Sequence, residues 1–146
     1  NNLMISHTNY FVINDNSKII GKFDVKKKLN YENLLKSCDI GLSTVIVKKK
    51  LLINNKFNNL RTKEDYFLWL KIAKKTKFIY GLSKYLSSWR KTKNSLSSSV
   101  YQKLFDAFKL YRIYLKKDIV TSIIMSIRLS FYAVNKKFLV FINRNK

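Results

Sequence analysis

The sequence predicts an α/β chain, a mixed sheet with packed helices followed by a C-terminal amphipathic helical region. Three observations carry this expectation. A β-rich run from Met4 to Ile13 meets the turn residues Asn14-Asp15-Asn16-Ser17 and resumes as a second extended run, Ile19 to Phe23. From Thr62 the segment TKEDYFLWLKIAKK sets Phe67, Leu70 and Lys71 on one arc with Trp69, Ile72 and Ala73 beside it, a broad apolar face at helical spacing. Beyond residue 99 the apolar residues recur at helical spacing without interleaved strand signals.

In chain order, the first two runs read as a hairpin. Asn30 can cap a short helix through Tyr31-Glu32-Asn33-Leu34-Leu35, because its side-chain carbonyl can accept from an unpaired first-turn amide. Gly41 opens a strand, Leu42 to Val47. The Asn-rich stretch Leu51 to Leu60 reads as a short helix and a loop, and the helix from Thr62 follows. Lys77 to Tyr80 and Lys84 to Arg90 read as two short strands, with Ser- and Asn-rich Lys91 to Ser99 as an exposed loop. Leu104, Phe108, Tyr111 and Leu115 then predict one amphipathic helix. Ile119, Ile123, Ile127 and Val134, with Val120, Ile124 and Phe131 alongside, predict another.

Composition bounds the possibilities. The chain has 146 residues, of which 47% are hydrophobic and 14% aromatic, enough to build a core and to exclude a disordered tail. The formal charge of +22 suggests a polyanionic partner, but only five of the 30 basic residues are Arg and there is no Pro. A Lys-dominated excess is the weaker kind of nucleic-acid signal, since bidentate reading of bases and phosphates favours Arg. Cys38 has no partner for an internal disulfide and reads as a half-buried side chain at a helix end. Neither it nor His7, expected on a sheet surface, joins a cluster with metal-ligand spacing. The first Met, Met4, lies inside an apolar stretch, so the N-terminus reads as a cut without a signal peptide. No apolar run reaches the roughly 18 residues of a membrane span, because Ser126, Arg128 and Ser130 interrupt the stretch from Ile119 to Val134. After Asp118 there is no further acid, while Arg128, Lys136, Lys137, Arg144 and Lys146 accumulate beside Phe138, Leu139 and Phe141. This tail can lie on an anionic membrane or pack on its parent domain or a partner chain, and the residues leave both open.

The adjacent pair Glu64-Asp65 contributes two of only eight acids. A carboxylate at a helix start is rigidly held and can accept a proton from an attacking hydroxyl. The competing reading is a capping box, in which Asp65 bonds back to the Thr62 amide and both acids favour the helix dipole. Trp69 reads as core.

The order SHTNYFVINDNSKIIGKF, GLSTVIVKK, RTKEDYFLWLKIAKK and YGLSKYLSSWRKTKNSLSS resembles the second half of bacterial family-2 inverting glycosyltransferases of the type-A fold, including those that build surface polysaccharides. The resemblance covers about Ile5 to Ser99. Its most specific part is Glu-Asp-Tyr-x-x-Trp-Leu followed by Tyr/Trp-Arg and a Ser-rich loop. It implies that residues 1–99 are the acceptor-side part of a catalytic domain and 100–146 its helical extension. It further implies Asp65 as general base, Glu64 shaping the acceptor pocket, Ser43 and Thr44 on a strand near the sugar, and Arg90 with Ser95 and Ser97 near the nucleotide diphosphate. The donor would be a nucleotide sugar and the acceptor a glycan or lipid-linked molecule, at the cytoplasmic face of the membrane. The family's Asp-x-Asp motif, which holds the donor with Mg2+ or Mn2+, does not occur in this chain. On that resemblance the metal ligands lie outside the chain, which alone is expected to be inactive. The alternative from another class is a basic module binding nucleic acid or anionic membrane through Lys and aromatic residues.

Overall fold

The computed structural model describes residues 3–92 and 99–142, the last six as backbone only. The predicted hairpin is β1, Ile5–Ile13, paired antiparallel with β2, Ile19–Phe23. Asn14 closes it: its side chain accepts from the amides of Asn16 and Lys18, and Ser17 takes the left-handed conformation at φ 61°. A two-residue strand that the sequence did not announce, β3 at Lys28–Leu29, precedes α1, Tyr31–Lys36. Asn30 caps α1 as expected, and Asn33 returns the bond by accepting from the Asn30 amide at 3.2 Å.

Two predicted elements differ. Leu42 to Thr44 is a turn of 3-10 helix, and only Val45–Val47 is strand β4. The Thr44 hydroxyl and amide both turn back onto the Gly41 carbonyl, at 2.7 and 3.0 Å, giving the backbone a local alternative to the ladder. A single turn, α2 at Lys49–Leu52, follows. The two short strands expected before Arg90 are one, β5, Ile79–Arg90. Its parallel pairing with β1 carries it through the polar interval that reads as a break, with irregularities opposite Thr8 and Asn9. Gly81 is required there, because an added Cβ would collide with the Lys26 carbonyl oxygen of the chain crossing over it.

The mixed sheet has the order β2-β1-β5-β3, with β4 sharing the β2 edge of β1. The central helix α3, Glu64–Lys75, buries Tyr66, Leu68, Trp69, Leu70, Ile72 and Ala73. The C-terminal part packs on the same core. Helix α4, Val100–Lys109, runs into a π-helical turn, Leu110–Tyr114, and α5 spans Ile119–Ile142. Ala107, Leu110, Tyr111, Met125 and Leu129 join the α3 cluster, so the tail shares one hydrophobic core with the sheet layer.

Candidate functional site around Asp65

The chain before α3 does not form the capping box. Lys63 occupies the cap position with no side-chain bond. The Thr62 amide and hydroxyl instead both donate to Asp106 Oδ2, at 2.9 and 2.8 Å, across 44 residues. Buried Asp106 accepts from Gln102 Nε2 with its other oxygen, so α4 holds the entry to α3. The Asp65 carboxylate is therefore not spent on Thr62; it accepts from the adjacent Tyr66 amide at 2.7 Å.

Tyr66 fixes that first turn from below. Its buried hydroxyl donates to the Leu34 carbonyl and lies 3.3 Å from the Tyr111 hydroxyl, which donates to the Leu35 carbonyl. Arg128 from α5 adds a second donor to the Leu35 carbonyl, at 3.3 Å. The last carbonyls of α1, which have no partner within the helix, are thus satisfied by side chains from α3, the π turn and α5. Three elements converge where α1 ends and Asp65 begins its helix.

Around this point lies a charged cluster. Burial and the neighbouring Glu64 carboxylate hold the Asp65 carboxyl above its usual range, against the lowering effect of the Tyr66 amide and Lys63. Glu64 Oε2 is buried without a protein hydrogen-bond partner. Cys38, half-buried after α1, feels Asp65, and burial followed by that charge pushes its thiol up to about 12, which leaves it a poor nucleophile. Lys136 reaches in from α5, donating to the Cys38 carbonyl at 3.0 Å and standing 4.0 Å from Asp39 and over the Phe23 ring. Asp39 also accepts from Ser37 and pairs with Lys26 at 3.5 Å. Burial lowers the Lys136 ammonium, with Cys38 and Asp39 opposing it.

His7 is not on a sheet surface but fully buried in β1, with neither ring nitrogen hydrogen-bonded. Burial lowers it to about 4, with Asp39 opposing and Lys136 adding to the shift, so it stays neutral near pH 7. Neither Asp39 nor Lys136 stood out in the sequence. Asp39 follows a cysteine in an unremarkable stretch, and Lys136 was one tail lysine among several.

The other expected residues fall as follows. Ser43 is exposed on the 3-10 turn and Thr44 is buried with its hydroxyl engaged, so neither lies on a strand. Arg90, at the end of β5, spends its guanidinium on the hairpin turn, donating to the Asn14 and Asp15 carbonyls and to Ser17 Oγ, not to the carboxylates. Ser95 and Ser97 lie outside the described residues. Trp69 is core, 2% exposed. Among the described residues no group of three or more His, Cys, Asp or Glu side chains is placed to hold a metal ion, and Glu64-Asp65 has no third acidic donor. An open hollow of about 550 Å³ between Leu3, Met4, Leu51 and Phe78 lies at the other end of α3 and serves none of these groups.

Comparison with known proteins finds relatives of one class. The chain is 38% identical over 105 residues to the Escherichia coli UDP-Glc:alpha-D-GlcNAc-diphosphoundecaprenol beta-1,3-glucosyltransferase WfgD, covering 71% of this chain and 41% of that protein. It is 29% identical over 108 residues to the putative teichuronic acid biosynthesis glycosyltransferase TuaG of Bacillus subtilis, covering 73% of this chain and 43% of that one. A third relative, the Escherichia coli beta-1,3-glucosyltransferase WfaP, is 38% identical over 73 residues, half of this chain and 28% of its own. The chain thus spans about two fifths of the length of the first two relatives, and all three relatives are named as glucosyl- or glycosyltransferases. No family model and no solved structure matches the chain.

Proposed function

We propose that this chain is the acceptor-side part of a family-2 inverting glycosyltransferase that moves a sugar from a nucleotide-activated donor to a glycan or lipid-linked acceptor in cell-surface polysaccharide synthesis, at the cytoplasmic face of the membrane. The observation that carries the reading is Asp65 itself. It stands in the first turn of a helix anchored at Tyr66 and Thr62, makes no bond back to Thr62 although it accepts from the Tyr66 amide, and is held above its usual carboxylate range by burial and Glu64. A base with a raised pKa is better matched to taking a proton near neutral pH.

In the proposed step the acceptor hydroxyl gives its proton to the Asp65 carboxylate while its oxygen bonds to the anomeric carbon. The bond from that carbon to the diphosphate oxygen breaks on the opposite face, and its electron pair leaves with the nucleotide. Glu64 keeps the base from ionising too readily and offers a second oxygen to the acceptor. Mg2+ or Mn2+, where bound in the complete enzyme, would neutralise the departing diphosphate; its ligands are expected outside this chain.

The test is transfer by the complete parent enzyme, native against Asp65→Asn, with a panel of nucleotide sugars and glycan or lipid-linked acceptors. With circular dichroism unchanged, the expected loss is roughly 10²- to 10⁴-fold in kcat, the usual contribution of a general base. Near-native transfer by the variant would remove Asp65 from the chemistry.

A further inference from the structure

Helix α5 faces the wrong way for a helix surrounded by water. Its inward side carries Ser122, Met125, Ser126 and Leu129, all 8% exposed or less. The two buried hydroxyls are satisfied within the helix, Ser122 donating to the Asp118 carbonyl and Ser126 to the Ser122 carbonyl, both at 2.7 Å. Its outward side carries Val120, Ile123, Ile124, Ile127, Phe131 and Val134, between 46% and 66% exposed. At 3.6 residues per turn these six fall within an arc of about 100° opposite the buried face, and at 1.5 Å per residue they run for about 21 Å. No charged residue stands in the stripe.

We propose that this stripe docks the protein on an anionic lipid bilayer, with α5 lying in the plane of the interface. Charge decides the occupant. Residues 100–146 hold ten Lys and Arg against two Asp, a net +8. Asp106 is buried on Thr62, and Asp118 caps α5 by accepting from the Thr121 amide. Arg112, Lys116 and Lys117 stand exposed at the approach to the stripe. An apolar stripe with a basic approach matches the boundary between acyl chains and anionic headgroups. A second copy of the chain would instead bring two +8 segments together, which like-charge repulsion opposes. No described helix is long and apolar enough to cross a membrane, which is consistent with α5 lying on the surface.

The opposite side of α5 sends Arg128 to Leu35 and Lys136 to Cys38 and Asp39, where Lys136 feels the charge of Asp65. A docked α5 therefore sets that cluster about one helix diameter, on the order of 10 Å, from the lipid. That consequence rests on the transfer reading above; the docking itself does not.

Flotation of the complete parent protein on phosphatidylglycerol–phosphatidylcholine vesicles, with pure phosphatidylcholine as control, is the experiment. The native protein is expected to float with the anionic vesicles and to be released in part by high salt. Replacing Ile123, Ile127 and Phe131 together by Ser lowers the partition coefficient roughly a hundredfold or more. Lys116→Gln with Lys117→Gln lowers it about tenfold on anionic vesicles only. Asp65→Asn floats like the native protein, which separates this outcome from failure of the catalytic reading. The proposal is overturned if the native protein stays in the aqueous phase or if the triple-Ser variant floats unchanged. A native dimer in analytical ultracentrifugation that the triple-Ser variant dissociates would assign the stripe to a second copy. A loss of unfolding stability in that variant would assign it to the remainder of the parent chain.

Discussion

Helices α3 and α5 carry apolar residues at the same spacing and use them in opposite ways. In α3 the stripe turns inward, so that Leu68, Leu70 and Ile72 have no exposed surface and lysines face water. In α5 a serine-bearing side turns inward and the aliphatic side turns out. The comparison teaches that helical periodicity locates a stripe without saying which medium meets it. For α3 the sheet layer and α1 supply the apolar medium. For α5 the inward side is shaped by closeness, since small Ser122 and Ser126 let it approach the core, and by the reach of Arg128 and Lys136 to α1 and the segment after it.

The contrast can be broken most directly at Leu70. Leu70→Ala should cost about 3–4 kcal/mol of unfolding free energy in urea titration, transfer and cavity terms together. A cost below about 1 kcal/mol would mean that α3 is not the packed centre.

The seam between the regions is tested next at His7, which feels the charges of Asp39 and α5's Lys136. Its folded pKa of about 4 lies below the ordinary 6.5. Above pH 6.5 it therefore costs nothing. As the pH falls through the window the unfolded chain takes up a proton that the folded chain refuses, and about 3 kcal/mol of stability is lost by about pH 4. His7→Phe, which keeps an aromatic ring in the strand, should flatten that part of the pH–stability curve relative to native. An unchanged slope would place the acid sensitivity elsewhere.

A smaller effect is expected at the tie from α4. Asp106→Ala leaves the Thr62 amide unpaired and should destabilise by about 2 kcal/mol, and in the parent enzyme it should lower kcat by loosening the turn that carries Asp65. Full stability with full activity would show that Thr62 is held by other means. The smallest effect belongs to the outward face of α5: Ile127→Ala should change stability by less than about 0.5 kcal/mol in vesicle-free buffer. A cost matching that of Leu70→Ala would erase the distinction between the two helices.

Local chemistry was legible without the fold. The Asn14 turn, the Asn30 cap and the periodicity of the two long helices each depend on neighbours a few residues apart, and the bonds seen are those such residues make. The pair Glu64-Asp65 was visible for the same reason, and residue identity alone permitted two roles for it. Of these, the bond from Asp65 to the Thr62 amide is absent, because Asp106, 44 residues away, takes that amide. Long-range pairing likewise made one strand of two expected fragments, through β1. It also buried His7 and brought Lys136 onto Asp39. The sequence by itself determined the Asn14 turn, the Asn30 cap and the periodicity of α3 and α5, because those are contests between groups already adjacent. Only the tertiary structure decided which carboxylate is spent, which histidine is dry and which apolar face is left outward, because each depends on partners that folding alone brings within hydrogen-bond or van der Waals reach.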